Sequence, residues 1–187
     1  MWRGYYVERA DPDVEGYEED SVSRKNLENR YKWANSLTSG FALDIPIGMG
    51  WGASFLTNAK KVIGVDYSRE AIDRASSLYS DLLLITGDMT QIPLKGNIFH
   101  TIICCEGYEH IIREDQFKLI DELYRVISKN GLLLMTIPTK GHSTNNQFHL
   151  YEPTIKEVGE SLINKFKVIF NEMLSDVAFF VLRPYKK

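Results

Sequence analysis

In the segment ALDIPIGMGWGASFL, Asp44 closes an apolar run and is followed by Gly48, Gly50 and Gly52 at alternate positions. Glycines at such a turn admit backbone angles closed to other residues and let a ligand approach the main chain and a following helix N-terminus. A plain tight turn would use them as well. Two acidic residues further along the chain give the loop more weight. Asp66 ends the next apolar run, KVIGVD, where a carboxylate can accept hydrogen bonds from both hydroxyls of a ribose. Asp88 comes after a third run, LLLIT. Acids after three successive strands share the carboxyl edge on which open α/β sheets bind ligands. The chemistry this predicts is the binding of a nucleoside-containing cofactor.

A second constellation lies in CCEGYEHIIRED, where Glu106, Glu109 and His110 bring two carboxylates and an imidazole within one turn. Carboxylate and imidazole donors suit Mg²⁺, Mn²⁺ or Zn²⁺. Read without a metal, Glu106 faces the cofactor, Glu109 is solvated and His110 caps or packs. His142 and His149 lie in the polar stretch GHSTNNQFHLYEPTIKEV, and His110 or His149 would then be the general base.

The elements that must carry these groups are read from hydrophobic period. Leu27, Tyr31, Ala34 and Leu37 recur at three- and four-residue spacing, predicting a helix from Ser21 to about Leu37. Strand, glycine turn, helix, strand and helix come next, the second helix burying Ala71, Ile72, Ala75, Leu78 and Tyr79 after a Ser68 cap. IFHTIICC reads as a strand covered on both faces. The next helix, about Glu114 to Ile127, buries Phe117, Ile120, Leu123 and Ile127 and stops before Asn130-Gly131, and LLLMTIP makes a fifth strand. A further helix begins near Pro153. Alternating strands and helices predict an α/β, doubly wound, mostly parallel sheet with helices on both faces. FKVIFNEML and VAFFVLRPY, separated by Ser175-Asp176, predict an antiparallel hairpin at one edge.

Length and composition set the frame. The 187 residues predict a single domain over 1–187, with the polar and aromatic residues 1–20 as an arm that closes over the site as a lid or frays. Lysine and arginine number 22 against 25 aspartates and glutamates, a net charge of −3, which disfavours indiscriminate nucleic-acid binding. No stretch approaches the ~18 apolar residues of a membrane span. Adjacent Cys104 and Cys105 point to opposite faces of a strand and read as core thiols in a reducing, cytoplasmic setting.

With these residues in view, the chain from about Ser36 onward resembles the class I S-adenosylmethionine-dependent methyltransferases. The family pattern of an acid followed by three alternate glycines maps onto Asp44, Pro46, Gly48 and Gly50, with Pro46 standing where the first glycine is expected. Methyltransferases found with polysaccharide biosynthesis also lack that glycine, and their glycine loop continues as Gly52 does here. Asp66 matches the family's ribose-binding acid, Asp88 with Met89 its adenine site, and ELYRVISKNGLLLMTIP its approach to the fifth strand. The resemblance implies a seven-stranded, Rossmann-like sheet with an antiparallel last strand. It also implies an S-adenosylmethionine site made of Asp44, Pro46, Gly48, Gly50, Gly52, Asp66, Tyr67, Asp88, Met89 and Cys105. A nicotinamide dehydrogenase shares the loop and the ribose acid, but its third glycine falls five residues after its first, not four as Gly52 does after Gly48.

The E-x-x-E-H turn is similar to that of ubiquinone-biosynthesis and polysaccharide-linked O-methyltransferases, and with His149-Leu-Tyr-Glu-Pro to that of small-RNA 3′-terminal 2′-O-methyltransferases. Carried over, that likeness implies Glu106, Glu109, His110 and His149 as ligands of Mg²⁺ or Mn²⁺, with Glu106, His110 and His149 catalytic. The expected reaction is O-methylation of a small molecule, sugar or glycan precursor. RNA ribose is the alternative acceptor, and a noncatalytic cofactor-binding or partner protein is the alternative that Pro46 keeps open. Acceptor identity and oligomeric state are not written in these motifs.

Overall fold

The computed structural model describes residues 21–139 and 148–186, so the arm of residues 1–20 and His142 lie outside the described residues. Ser21 accepts the Arg24 N–H at 3.2 Å and caps helix α1, Val22–Leu37. Strand β1 (Phe41–Asp44) leads into the glycine loop, and β2 (Lys61–Asp66) comes after it. Between them the sequence pattern predicts a helix. The structure has a four-residue 3-10 turn, Gly52–Phe55, in its place. Residues 53–60 are too few for a helix with its connections, and α1 covers that side of the sheet. The Tyr31 ring lies against Gly52, so that a Cβ there would stand 2.2 Å from it.

Helix α2 (Arg69–Leu78) starts at Ser68, whose hydroxyl accepts the Ala71 N–H. Strands β3 (Leu83–Thr86) and β4 (Phe99–Cys105) come next, then a short turn at Tyr108–His110 and helix α3 (Arg113–Val126). The order ends with β5 (Ile127–Pro138), α4 (Ile155–Leu162) and the hairpin of β6 (Phe166–Leu174) and β7 (Val177–Pro184). Helix α4 begins near Pro153 as expected, capped by Thr154 with a capping box to Glu157.

The seven strands lie in the order β3-β2-β1-β4-β5-β7-β6. Strands β1 to β5 are parallel, and β7 runs antiparallel to both β5 and β6. This is the expected doubly wound fold with its antiparallel end. Strand order reverses between β1 and β4, so the loops leaving their carboxyl ends diverge and open a crevice. Helices cover both faces. On one, Leu119, Ile120 and Leu123 of α3 and Val158 and Leu162 of α4 pack on Leu43, Ile102, Leu133 and Phe180. On the other, Tyr31 and Ala34 of α1 and Ile72 of α2 pack on Ala42, Ile103, Leu134 and Val181. Cys104 joins the first cluster and Cys105 the second, as strand alternation requires.

Helix α3 buries Ile120 and Leu123 as expected, but the rest of its stripe differs. Phe117 is 49% exposed, and Gln116, Leu119 and Val126 are buried with Ile120 and Leu123. An amide turns inward because it has work there: Gln116 Nε2 donates to the carbonyls of Tyr108 and Tyr151, both at 3.0 Å. Ile127 is the first residue of β5, and Asn130-Gly131 lie in that strand's irregular start, between the pairs Phe99–Ile127 and Thr101–Leu132.

The Tyr31 contact makes Gly52 a structural position. Gly52→Ala would drive a methyl into the ring, an overpacking that costs about 1–3 kcal/mol. At ~2–4 °C per kcal/mol for a chain of this size, calorimetry is expected to read a fall of several degrees in Tm.

Candidate active site

Asp66 is the organising group of the glycine loop. Its Oδ2 accepts the Gly48 N–H at 2.9 Å and its Oδ1 accepts the Ser68 N–H at 2.8 Å. One carboxylate thus ties the loop after β1 to the start of α2. A carboxylate has about four lone-pair sites, enough to serve backbone N–H groups and ribose hydroxyls together. Gly48 has φ +56°, and a Cβ built on it would meet nothing within 4 Å. That open side, at backbone angles glycine adopts without penalty, suits close approach of a ligand.

Beside it lies a cavity of about 260 Å³, lined by Pro46, Asp66, Tyr67, Asp88, Met89 and His110, and also by Ile112, Asp115, Phe148 and Leu150. Its walls come from the ends of β1, β2 and β3 and the turn after β4, where a nucleoside was expected. Asp88 Oδ1 accepts both the N–H and the hydroxyl of Thr90 at 2.7 Å, which orients its carboxylate at the rim. Pro46 is accommodated by Gly107, where a Cβ would stand 2.2 Å from the proline Cδ. The unexpected proline therefore lines the pocket with a ring that only a glycine opposite allows. These residues fit the adenosine half of S-adenosylmethionine: a carboxylate for the ribose, a second acid and Met89 for the base, and a largely apolar wall.

Five expected cofactor residues are not among those lining this cavity: Gly48, which reaches it only through its hydrogen bond to Asp66, and Asp44, Gly50, Gly52 and Cys105. Asp44 is fully buried and accepts the Tyr31 hydroxyl at 3.0 and 3.1 Å. Burial pushes its carboxyl up to about 8, with the Asp66 charge adding to the rise and the Tyr31 hydrogen bond opposing it. Gly50 turns toward Ala75 and Tyr79, and Gly52 toward Tyr31. Cys105 is buried in the cluster beneath α1, and burial raises its thiol pKa far above the ordinary range, as it does for Cys104. Neither cysteine is a thiolate nucleophile.

The second constellation assembles in part. One ligand atom from each of Glu109, His110 and His149 lies within 4.8 Å of the others. The stretch 148–151 is stitched to the turn after β4: Leu150 and Tyr151 donate their N–H groups to the Glu109 carbonyl at 2.9 and 3.1 Å. His110 Nδ1 donates to the Phe148 carbonyl at 3.1 Å. The two imidazoles meet edge to face with centroids 5.2 Å apart. His149 Nδ1 bonds the Glu152 carboxylate, so Nε2 is the nitrogen each ring would use toward a ligand. Glu109 is buried and not solvated as the metal-free reading supposed. Glu106, in contrast, is not in this cluster. It sits at φ +50° and pairs with Arg30 of α1 at 2.7 Å, so a cation supplied by the chain occupies its carboxylate.

Arg30, Gly107, Gln116 and Glu152 were not singled out in the sequence. Only Glu152 carried a usable signal, a carboxylate three residues after a histidine. The others act through tertiary contacts.

Comparison with known proteins agrees with this fold. Residues 43–135 match the family model described as a methyltransferase domain. A probable S-adenosylmethionine-dependent methyltransferase of Mycobacterium tuberculosis is 27% identical over 161 residues, covering 82% of this chain and 57% of that protein. The chain spans about half the length of the curated relatives it matches. Among solved structures, the PH0226 protein of Pyrococcus horikoshii superposes with a TM-score of 0.76 at 19% identity, covering 98% of this chain and 100% of that one. The N-methyltransferase NodS of Bradyrhizobium japonicum, in complex with S-adenosyl-L-homocysteine, gives 0.76 at 15% identity over 95% of this chain and 94% of that one. Residues 43–135 are thus similar to methyltransferase domains, and the seven-stranded sheet has the Rossmann-like fold of the methyltransferases it superposes on. The curated relatives are described as S-adenosylmethionine-dependent.

This half of the site is open to two measurements. Asp66→Ala is expected to weaken S-adenosylhomocysteine binding by ~1.5–3 kcal/mol, the scale of hydrogen bonds to a charged group, read by calorimetric titration. Asp44 binds its proton more tightly folded than unfolded, so its contribution to stability is full below pH 3.8 and is lost as pH rises to about 8. Asp44→Asn, which cannot ionise, is expected to flatten that decline between pH 4 and 8 in chemical denaturation, leaving stability flat relative to wild type above it.

Proposed function

We propose that the chain is an S-adenosylmethionine-dependent methyltransferase that methylates an oxygen of a small molecule, sugar or glycan precursor, with Glu109, His110 and His149 holding a divalent cation. The observation that carries this reading is the convergence of those three ligand groups beside the cofactor cavity, with His110 common to both. S-adenosylmethionine, when bound, supplies an electrophilic sulfonium methyl. An alcohol is a poor nucleophile at neutral pH, so a cation that draws charge from two neighbouring oxygens would orient and acidify the acceptor. Two imidazoles and one carboxylate suit Mn²⁺ or a similar borderline ion better than Mg²⁺, which favours oxygen donors.

The chain's own groups have defined tasks in this scheme. Asp66 and the Gly48 backbone orient the nucleoside. Glu152 holds His149 in one tautomer and supports positive charge on its ring, and the Phe148 carbonyl does the same for His110. In a metal-free reaction the same arrangement makes His149 Nε2 the general base, with Glu152 stabilising the imidazolium that forms. Arg30 neutralises Glu106 and keeps that carboxylate out of the ligand set. RNA ribose presents the same vicinal oxygens and belongs in the acceptor panel, although the net charge of −3 does not favour a polyanion.

The test is calorimetric titration of metal-stripped protein with Mn²⁺. One-to-one binding is expected, weakened at least tenfold in His149→Ala and about 10–100-fold in Glu152→Gln, but changed little in Glu106→Ala. Absence of Mn²⁺ binding alongside normal S-adenosylhomocysteine binding would leave the base role of His149 and remove the cation. Loss of cofactor binding in wild-type protein would overturn the methyltransferase reading itself.

A further inference from the structure

The two edges of the sheet are built differently. Edge strand β3 has four residues, whereas β6, at the other end, has nine. Of those nine, Val168, Ile169, Phe170, Met173 and Leu174 are between 40% and 50% exposed. Long, apolar, unpaired edges invite pairing, and soluble proteins usually blunt them with proline, charge or shortness. Strand β6 carries no proline, and its charges are placed in an unusual way.

The register with β7 shows how. Val168 pairs with Leu182 and Phe170 with Val181, so Ile169 is an extra residue in β6. Cross-strand partners share a face. Phe166, Val168, Asn171 and Met173 therefore share the face of Leu182 and Phe180, and Lys167, Phe170, Glu172 and Leu174 share that of Val181 and Phe179. In a regular strand, Lys167 and Glu172, five residues apart, would point to opposite faces. The inserted residue puts them on one face.

A twofold axis perpendicular to the sheet keeps every side chain on its own face while reversing strand direction. Antiparallel pairing of β6 with its own copy must then match residues of like face. With the axis between Ile169 and Phe170, the pairs are Phe166 with Met173, Lys167 with Glu172, and Val168 with Asn171, each matched in face. Each pair occurs twice by symmetry. The register sets lysine against glutamate at two points around an apolar centre, and neither residue has an ion partner among the described residues. We propose that β6 is the seam of a symmetric homodimer in which the sheet continues from one copy into the other, with Lys167 of each chain facing Glu172 of the other. The bulge, often a device that disrupts edges, here sets the register.

The experiment is light scattering and sedimentation of the full chain over a concentration series, with charge reversals at the two positions. Wild-type protein is expected to run as two chains. Lys167→Glu and Glu172→Lys each replace both attractive pairs by like charges and are expected to raise the dimer dissociation constant about tenfold. The double variant, with the charges exchanged, is expected to restore it to near the wild-type value. Thermal melts and S-adenosylhomocysteine binding confirm that each variant is folded, since β6 is remote from that cavity. A chain that stays monomeric throughout the series overturns the proposal and leaves β6 to another protein or another part of a longer chain. A dimer indifferent to single reversal uses a different face, and a dimer not rescued by the exchange uses a different register. Either result overturns it too.

Discussion

A carboxylate sealed from water at the end of the central strand is the constraint on which this architecture turns. Asp44 is buried beneath α1, and the Tyr31 hydroxyl is the donor that meets both its oxygens. Burying such a group is costly unless it is hydrogen-bonded or neutralised, and here both occur: the hydroxyl satisfies it and burial favours the protonated acid. The arrangement requires α1 to lie across the loop after β1, which requires a glycine under the tyrosine ring. Arg30, the preceding residue, reaches Glu106 after β4. Adjacent residues of one helix therefore secure both sides of the crevice where the strand order reverses.

Within that crevice, short hydrogen-bonded frames hold the candidate groups. Asp66 fixes the glycine loop and the start of α2 at once. On the opposite wall, backbone bonds from Leu150 and Tyr151 to Glu109, with Gln116 bridging Tyr108 and Tyr151, bring a distant histidine beside His110. Buried carboxylate and oriented imidazoles then form a site whose rotamers are set by second partners and not by chance. Positioning of this kind is what the proposed methyl transfer would ask of the protein, because the reactive methyl would belong to the cofactor.

Much of this was legible without coordinates. The strand sequence, the cap at Ser68, the opposite facing of Cys104 and Cys105, the terminal hairpin and the acids Asp66 and Asp88 are read from period, local hydrogen-bonding chemistry and strand-end position. Errors gathered where local signals were outweighed. The helix expected after Gly52 is a 3-10 turn because α1, from an earlier part of the chain, covers that ground. Gln116 rather than Phe117 faces inward because two carbonyls need its amide.

The sequence by itself determined the alternation of strands and helices, the order of acids along the sheet's carboxyl edge and the presence of two histidines with clustered carboxylates. These depend on period and on neighbours a few residues away, which the chain states directly. Only the tertiary structure decided which of those groups meet. It drew Asp44, Gly50, Gly52 and Cys105 into packing, gave Glu106 to Arg30, joined His149 to His110 and Glu109, and used one inserted residue in β6 to bring Lys167 and Glu172 to a common face. Each outcome rests on contacts between residues distant in the chain or on strand register. Such contacts are set by competition for buried space and hydrogen-bond partners across the whole fold, and no local pattern encodes that competition.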